Sequence, residues 1–260
     1  MGYVHDPWKE ESLVTLPEQQ LLSDWSILVP ELVKLSESGF RIPVGQADTV
    51  YCRYLTERGK PWRGWIELDA ILTAIALARH PKALEEIEAV FAMGEFDFTG
   101  VASRALLAWH GMPDLKLIWV GEMDRRNFAE LPLPVQDYIR AVDLNCTWEG
   151  AGISCWFQDT PPEEIRKMIA AFIRMDLPSP AAALTEALEW WGKVQMVHDL
   201  NLDWDAHYDA FHPVHAKWEA AACRMNDHKD SLLEGISRFA ARNSSDLRHA
   251  SGWFEDSPPL

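Results

Sequence analysis

Apolar residues recur every three or four positions along most of this chain, and this spacing constrains the fold more than any other feature of the sequence. Such spacing places apolar side chains on one face of an α-helix, whereas a half-buried strand needs strict alternation. The clearest stretches are Leu21–Leu32, Leu68–Ala76, Ile165–Ile173, Leu184–Trp191 and Leu232–Ala240. The sequence therefore predicts an all-α multi-helix bundle, built on one shared core or as two packed helical subdomains.

Prolines, glycines and capping residues predict where several helices begin and end. Pro30 predicts that the first stretch is split into two helices. Thr160 is predicted to cap a helix that buries Ile165–Ile173, and Gly192 to stop the helix that follows in the same hairpin. Pro213 is predicted to lie near the start of a later, long helix.

The polar, proline-bearing stretch Glu122–Pro134 predicts a boundary between two helical regions. Residues 1–125 are predicted as a helical N-terminal region, and residues 130–250 as a second helical domain. Residues 251–260 are predicted as a loose tail.

The chain is strongly acidic, with 40 aspartates and glutamates against 24 lysines and arginines and a net charge of −16. This field repels nucleic acid phosphates and anionic membranes, so neither is predicted as a direct partner. The same field attracts a protein with a basic surface. The acidic residues are spread along the chain, which is typical of a folded acidic surface rather than a disordered acidic arm.

The cysteines and the chain start predict a cytoplasmic protein. The four cysteines have irregular spacings without a CxxC pair, and the first residues lack a basic start followed by an apolar run. Reduced thiols in a cytoplasm are the simplest account of this pattern. The longest apolar stretches are also too short to span a bilayer.

The sequence lacks the short motifs that bind phosphates or a catalytic zinc ion. Gly152–Trp156 looks like a nucleophile elbow, but Trp156 occupies the place of a required small residue. Cys155 is therefore interpreted as a small buried hydrophobe, and the pairs Glu85–Glu86 and Glu163–Glu164 as solvated helix faces. No enzyme and no cofactor are predicted.

One alternative of a different class stays open, a metal-dependent enzyme built on His207, His212 and His215. His212 and His215 are three residues apart and would share a helical face, as metal ligands often do. His207 precedes His212 by five residues, which suits a common face poorly. Capping or solvation is the favoured role of these side chains, so no metal is predicted.

Tryptophan is abundant, with thirteen in the chain. Most are predicted to lie in the core, but some fall in loop-like surroundings next to glycine or acidic residues. Exposed aromatic side chains beside acids suit a protein interface. A partner-binding set is therefore predicted from Trp148, Asp203, Trp204, Asp205 and Asp209.

Gly150-Ala151-Gly152-Ile153-Ser154-Cys155-Trp156-Phe157-Gln158-Asp159 precedes the predicted hairpin. Here residues of about 130–250 resemble the bacterial DNA-mimic protein family, whose landmark is Asn-Gly-Gly-Phe-x-Gln-aromatic-aromatic-x-Asn. Gly152, Trp156 and Phe157 match this fold-marker motif, in which the glycine would permit a tight turn and the aromatic residues would lock it onto the hairpin. The resemblance implies a helical scaffold whose acidic surface imitates DNA phosphates and occupies a DNA-binding protein.

The sequence thus predicts a non-enzymatic acidic helical protein that binds, and regulates or inhibits, another protein with a basic surface. DNA mimicry is one version of this function. An immunity or antitoxin-type protein that neutralises a toxin is the alternative version. A homodimer is compatible with either.

Overall fold

The computed structural model describes residues 12–58, 65–112, 128–199 and 204–247. These ranges are almost entirely helical, which confirms the predicted all-α multi-helix bundle. The α-helices are α1 (Glu18–Leu21), α2 (Trp25–Glu37), α3 (Val44–Arg58), α4 (Trp65–Leu77), α5 (Ala83–Phe91), α6 (Phe96–Trp109), α7 (Leu133–Ala151), α8 (Ile153–Asp159), α9 (Pro162–Arg174), α10 (Pro178–Asp199), α11 (Trp204–Cys223) and α12 (Lys229–Arg242). A 3₁₀ helix (Arg224–His228) joins α11 to α12, and β1 (Ser12–Leu13) pairs in parallel with β2 (Phe40–Arg41). None of the described helices is long and apolar enough to cross a membrane.

The chain forms two compact units. The first comprises residues 1–121 and 237–260, and the second residues 122–236. The division therefore falls inside α12, whereas the sequence assigned all of residues 130–250 to one domain. Ala241 belongs to the buried core of the first unit, which is why the end of α12 is grouped with that unit.

In the first unit, α4 is the central helix. It packs against α2, α3, α5 and α6, and its predicted apolar face is buried at Leu68, Ile71, Leu72, Ile75 and Ala76. Because these side chains are almost fully removed from water, they supply much of the hydrophobic stabilisation of the unit.

The predicted split at Pro30 is wrong, because α2 continues through this proline. Proline removes one backbone hydrogen bond from a helix interior, but Pro30 and Ser26, whose carbonyl loses that bond, are both exposed to water. Leu28 and Leu32 are buried on either side of it. Packing of these two side chains outweighs the local cost of the proline.

In the second unit, α9 and α10 form the predicted hairpin, but its ends differ from the prediction. Thr160 does not cap α9, because Pro161 is the residue that precedes the helix. Gly192 does not stop α10, which extends to Asp199. A glycine inside a helix costs only about 0.5–1 kcal/mol, and buried Trp191 and Val194 hold the helix on both sides of it.

Two further sequence predictions for this unit are wrong. Helix α11 begins at Trp204, so Pro213 lies in the helix interior rather than near its start. Ile173, predicted to lie on the buried face of α9, is 64% exposed. The buried arc of α9 is centred on Ile165, Met168 and Phe172, and Ile173 lies about 100° further around the helix from Phe172.

Candidate functional site

Trp148 does not lie in an exposed loop as predicted. Helix α7 continues to Ala151, so Trp148 is helical, and its side chain is only 5% exposed. Its indole N–H donates to Asn226 Oδ1 over 3.0 Å, and Lys229 Nζ lies 5.4 Å from the ring centroid. These contacts tie α7 to the segment that joins α11 and α12, and they leave the indole unable to anchor a partner.

The other predicted partner-binding residues are described only in part. Asp203 lies outside the described residues. Trp204, Asp205 and Asp209 lie in α11, and their side chains are outside the described part of the chain. Their role in binding stays a prediction.

The fold-marker motif occupies the turn between α7 and α8. Gly152 has φ +89° and ψ 157°, a conformation that residues with a Cβ rarely adopt. Trp156 and Phe157 follow on α8 and are buried. The Phe157 ring makes edge contacts with Trp191 of α10 at 6.3 Å and with Trp218 of α11 at 6.0 Å. The motif therefore holds three helices together through aromatic packing.

The histidines of α11 do not form a metal site within the described residues. His212 is exposed, and His215 Nδ1 lies 3.6 Å from Glu219 Oε1, one turn further along the same helix. No three His, Cys, Asp or Glu side chains among those described come close enough to hold a metal ion. The side chain of His207 is outside the described part of the chain.

A partly buried polar cluster in the first unit was not predicted. Tyr51, Tyr54 and Arg58 share one face of α3, and all three donate hydrogen bonds to the Glu86 carboxylate on α5. The phenol oxygens lie 3.1 Å from Oε1 for Tyr51 and 2.9 Å from Oε2 for Tyr54. We call these four residues the Glu86 cluster.

A histidine extends this cluster on one side. The His80 ring stacks on Tyr51, with centroids 3.9 Å apart and planes 11° from parallel. Its Nδ1 accepts the backbone N–H of Lys82 over 3.1 Å, so the ring proton lies on Nε2, which is 3.3 Å from Asp48 Oδ1. Both ring nitrogens are therefore engaged.

The prediction that Glu85 and Glu86 are both solvated is wrong for Glu86, which is only 9% exposed. A signal for its burial is present in the sequence. Glu86 follows Ala83 by three residues and precedes Val90 by four, and both of these are buried. Glu86 thus lies on the apolar face of α5, whereas Glu85 lies beside that face and is exposed.

The chemistry of the Glu86 cluster is that of a structural contact. Burial, and then the adjacent Glu86 carboxylate, raise the pKa of Tyr54 well above its usual value. Burial and the hydrogen bond to Glu86 also raise the pKa of Tyr51. Both phenols are therefore neutral donors near pH 7, and the carboxylate that could act as a base already accepts three hydrogen bonds. The cluster fixes α3 against α5.

The basic and the acidic side chains at the surface differ in how many of them have a partner within the protein. Most described lysines and arginines are engaged within the protein, either with a carboxylate or with an aromatic ring. The carboxylate-bound ones are Lys34, Arg58, Lys82, Arg104, Arg140, Lys167, Arg174, Arg224 and Arg238. Lys193 and Lys217 lie over Trp190, with Nζ 3.7 and 4.8 Å from the ring centroid.

Many carboxylates have no such partner. Among the described residues, the exposed acids without an ion pair are Glu18, Asp24, Glu37, Glu95, Asp97, Glu130, Asp159, Glu163, Asp176, Glu189, Asp227 and Asp246. The second unit has the larger excess, with twenty acidic and ten basic residues in its sequence. The protein therefore presents negative charge that its own cations do not neutralise.

No protein-family model, curated protein or solved structure matches this chain.

Proposed function

We propose that the protein acts by binding another protein whose contact surface is basic. The observation that supports this proposal is the set of exposed carboxylates that lack an ion pair, while most described cations are already engaged. Because surface ion pairs contribute little stability, this surplus is better explained by long-range attraction of a partner than by folding.

More specifically, we propose that this partner is a DNA-binding protein. The resemblance of residues 130–250 to the DNA-mimic family supports it, as does the excess of ten acidic over basic residues in the second unit. In this version the carboxylates occupy the basic surface that would otherwise hold DNA phosphates, and the protein regulates or inhibits its partner by competition.

The experiment is capture of partners from an extract of the source cells on the immobilised full-length protein at 50 mM NaCl. We expect a basic protein whose association rate constant falls about tenfold between 50 and 300 mM NaCl, because electrostatic steering is screened by salt. Glu163→Gln/Asp227→Asn should slow association, and Glu31→Gln, which removes an acid that is already paired with Lys34, is the matched control.

Competition with a 25-base-pair DNA duplex then identifies the basic surface of the partner. Displacement of the protein by the duplex supports DNA mimicry. Undisturbed binding overturns mimicry and retains the broader proposal. Association with an acidic or neutral protein at a rate independent of salt would contradict the proposed function itself.

A further inference from the structure

Two large apolar side chains are exposed in the described part of the second unit. Leu133 at the start of α7 is 50% exposed, and Ile173 near the end of α9 is 64% exposed. Every other exposed large apolar residue in the described part of the chain belongs to the first unit. Exposed apolar residues are common singly, so their position relative to each other and to charge decides whether they form a surface.

Leu133 and Ile173 lie at the same end of the α7–α9 pair. Arg174 makes two hydrogen bonds to Asp137, of 2.6 Å and 2.7 Å, and Asp137 is only 1% exposed. Leu133 precedes Asp137 by one helical turn, and Ile173 immediately precedes Arg174. The ion pair therefore fixes the backbone that carries both apolar side chains, so that a partner would meet a preorganised surface.

Two exposed acids lie at the same end, and neither has an ion pair among the described residues. Glu130 precedes Leu133 by three residues, and the Gln136 amide holds its segment by donating to the backbone oxygens of Ala129 and Leu131 over 3.3 and 2.8 Å. Asp176 follows Ile173 in the turn to α10.

Asp176 occupies a backbone position that usually holds glycine. Its φ is +65°, and the turn has the two hydrogen bonds of a Schellman motif, from Asp176 N–H to the Ile173 oxygen and from Leu177 N–H to the Phe172 oxygen. Arg79 is the other described non-glycine residue with positive φ, and its side chain lies over the Trp109 ring. Asp176 places an exposed carboxylate at this turn instead.

The cations described near this end do not cancel this charge. Arg140 lies over the Phe128 ring and is paired with Glu164. Arg174 is neutralised by Asp137. On α9, Arg166 precedes Ile173 by seven residues, or about two turns, and Lys167 precedes it by six. Lys167 is paired with Glu164. Among the described residues, this end of the second unit therefore combines apolar side chains with surplus negative charge.

We propose that Glu130, Leu133, Ile173 and Asp176 form the docking surface for the basic partner, and we call them the α7–α9 end. The inference rests on the proposed function and assigns it a location. The complementary segment is an amphipathic helix that sets apolar side chains on Leu133 and Ile173 and lysines or arginines beside Glu130 and Asp176.

The probe is a 14-residue peptide of leucine and lysine that forms an amphipathic helix, titrated into the ¹⁵N-labelled full-length protein. We expect amide shifts to concentrate at residues 130–133 and 173–177. Ile173→Ser should raise the dissociation constant about tenfold, and Glu130→Gln/Asp176→Asn about fivefold, as expected for an apolar anchor and for two rim charges.

Matched controls come from the first unit. Ile27→Ser changes an isoleucine that is 55% exposed, and Glu95→Gln/Asp97→Asn removes two exposed acids without an ion pair among the described residues. Both should leave the dissociation constant within about twofold of the wild-type value. Asp176→Gly should weaken peptide binding while the melting temperature stays the same or rises, which separates a binding role from a folding role.

The outcomes separate this inference from the proposed function. Peptide binding that shifts amides elsewhere, or that Ile173→Ser leaves unchanged, overturns the assignment of the α7–α9 end and leaves the proposed function intact. Absence of binding at 50 mM NaCl overturns the inference as well, while the proposed function is still decided by the capture experiment. A wild-type dimer that Ile173→Ser converts to a monomer, seen by analytical ultracentrifugation, would show that a second copy covers this end, which also overturns the inference.

Discussion

Asp137 and Arg174 show what a single buried charge requires of its surroundings. The carboxylate is almost completely removed from water, and the guanidinium of Arg174, which is 39% exposed, binds both of its oxygens. A buried charge without its partner is costly because neither water nor a counter-ion solvates it. Arg224 and Glu186 make a similar contact at 2.5 Å with both side chains about half exposed.

These two pairs give a matched prediction. We expect Arg174→Met to lower the free energy of unfolding by about 3 kcal/mol, because it leaves the Asp137 carboxylate buried and unpaired. Arg224→Met should lower it by about 0.5 kcal/mol or less, since water replaces the lost contact. Urea unfolding of both variants at pH 7 measures the difference. Equal losses would show that burial does not distinguish the two pairs.

For individual residues, the sequence predicted whether some side chains are buried or exposed, but not for others. Trp156 and Phe157 were placed correctly because a local motif positions them beside a hairpin. Glu85 and Glu86 are chemically identical neighbours, and only the position of α3 buries one of them. Ile173 is exposed because no described helix covers its side of α9, a fact of tertiary arrangement that apolar spacing does not contain.

Two glycines in long helices show how packing determines whether a helix position has room for a side chain. An added Cβ at Gly235 of α12 would lie 2.5 Å from Leu177 Cδ2 and 2.8 Å from its Cγ. Leu177 is itself buried, so its displacement would disturb other neighbours. Gly192 of α10 has nothing within 4 Å of the same position. The first glycine permits close approach of α12 to the α9–α10 turn, and the second has no such role.

The same change at the two positions should therefore have opposite effects. Gly235→Ala should destabilise the protein by about 1–3 kcal/mol through overpacking. Gly192→Ala should stabilise it by about 0.5–1 kcal/mol, because alanine loses less backbone entropy in a helix. Thermal unfolding of the two variants beside the wild type tests this. A stabilising Gly235→Ala would mean that α12 moves freely away from the turn.

The elements themselves were largely predictable. The buried face of α4 and the α9–α10 hairpin follow from apolar spacing, because residues three and four apart meet on one face whatever the rest of the fold. The breaks predicted at Pro30 and Gly192 and the helix start predicted near Pro213 are wrong, because all three residues lie inside helices. Their local penalties of about 1–3 kcal/mol are offset by burial of the apolar residues around them, which one-residue propensities ignore.

The whole molecule has a net charge of −16, and the negative field of such a charge by itself favours the binding of protons. Composition predicts this negative field, but it does not predict which histidine has a pKa that is lowered in spite of it. At His110, just after α6, burial and then the Arg79 charge lower the pKa from the usual 6.5 to about 4. Its ring is therefore neutral in the folded protein across a range of pH in which it is protonated in the unfolded chain.

The sign of the resulting pH dependence follows from linkage. Between pH 6.5 and pH 4 the unfolded chain binds a proton at His110 and the folded protein does not, so stability decreases as the pH falls through this window. From pH 7.5 to 5.5 we expect this histidine to account for a loss of about 1 kcal/mol after allowance for its partial exposure. His110→Gln should lack that part of the loss, so the difference in unfolding free energy between variant and wild type should change by this amount.

His110→Asn is the matched variant, since it also removes the titrating ring and should show the same pH dependence of stability as His110→Gln. Repeating both pH values in 0.5 M NaCl separates the two contributions, because salt screens the field of the net charge but not the desolvation of a buried ring. The difference between His110→Gln and wild type should persist in high salt. Its disappearance would assign the low pKa of His110 to the charge of Arg79 rather than to burial, and parallel curves at both salt concentrations would show that this ring does not control acid stability.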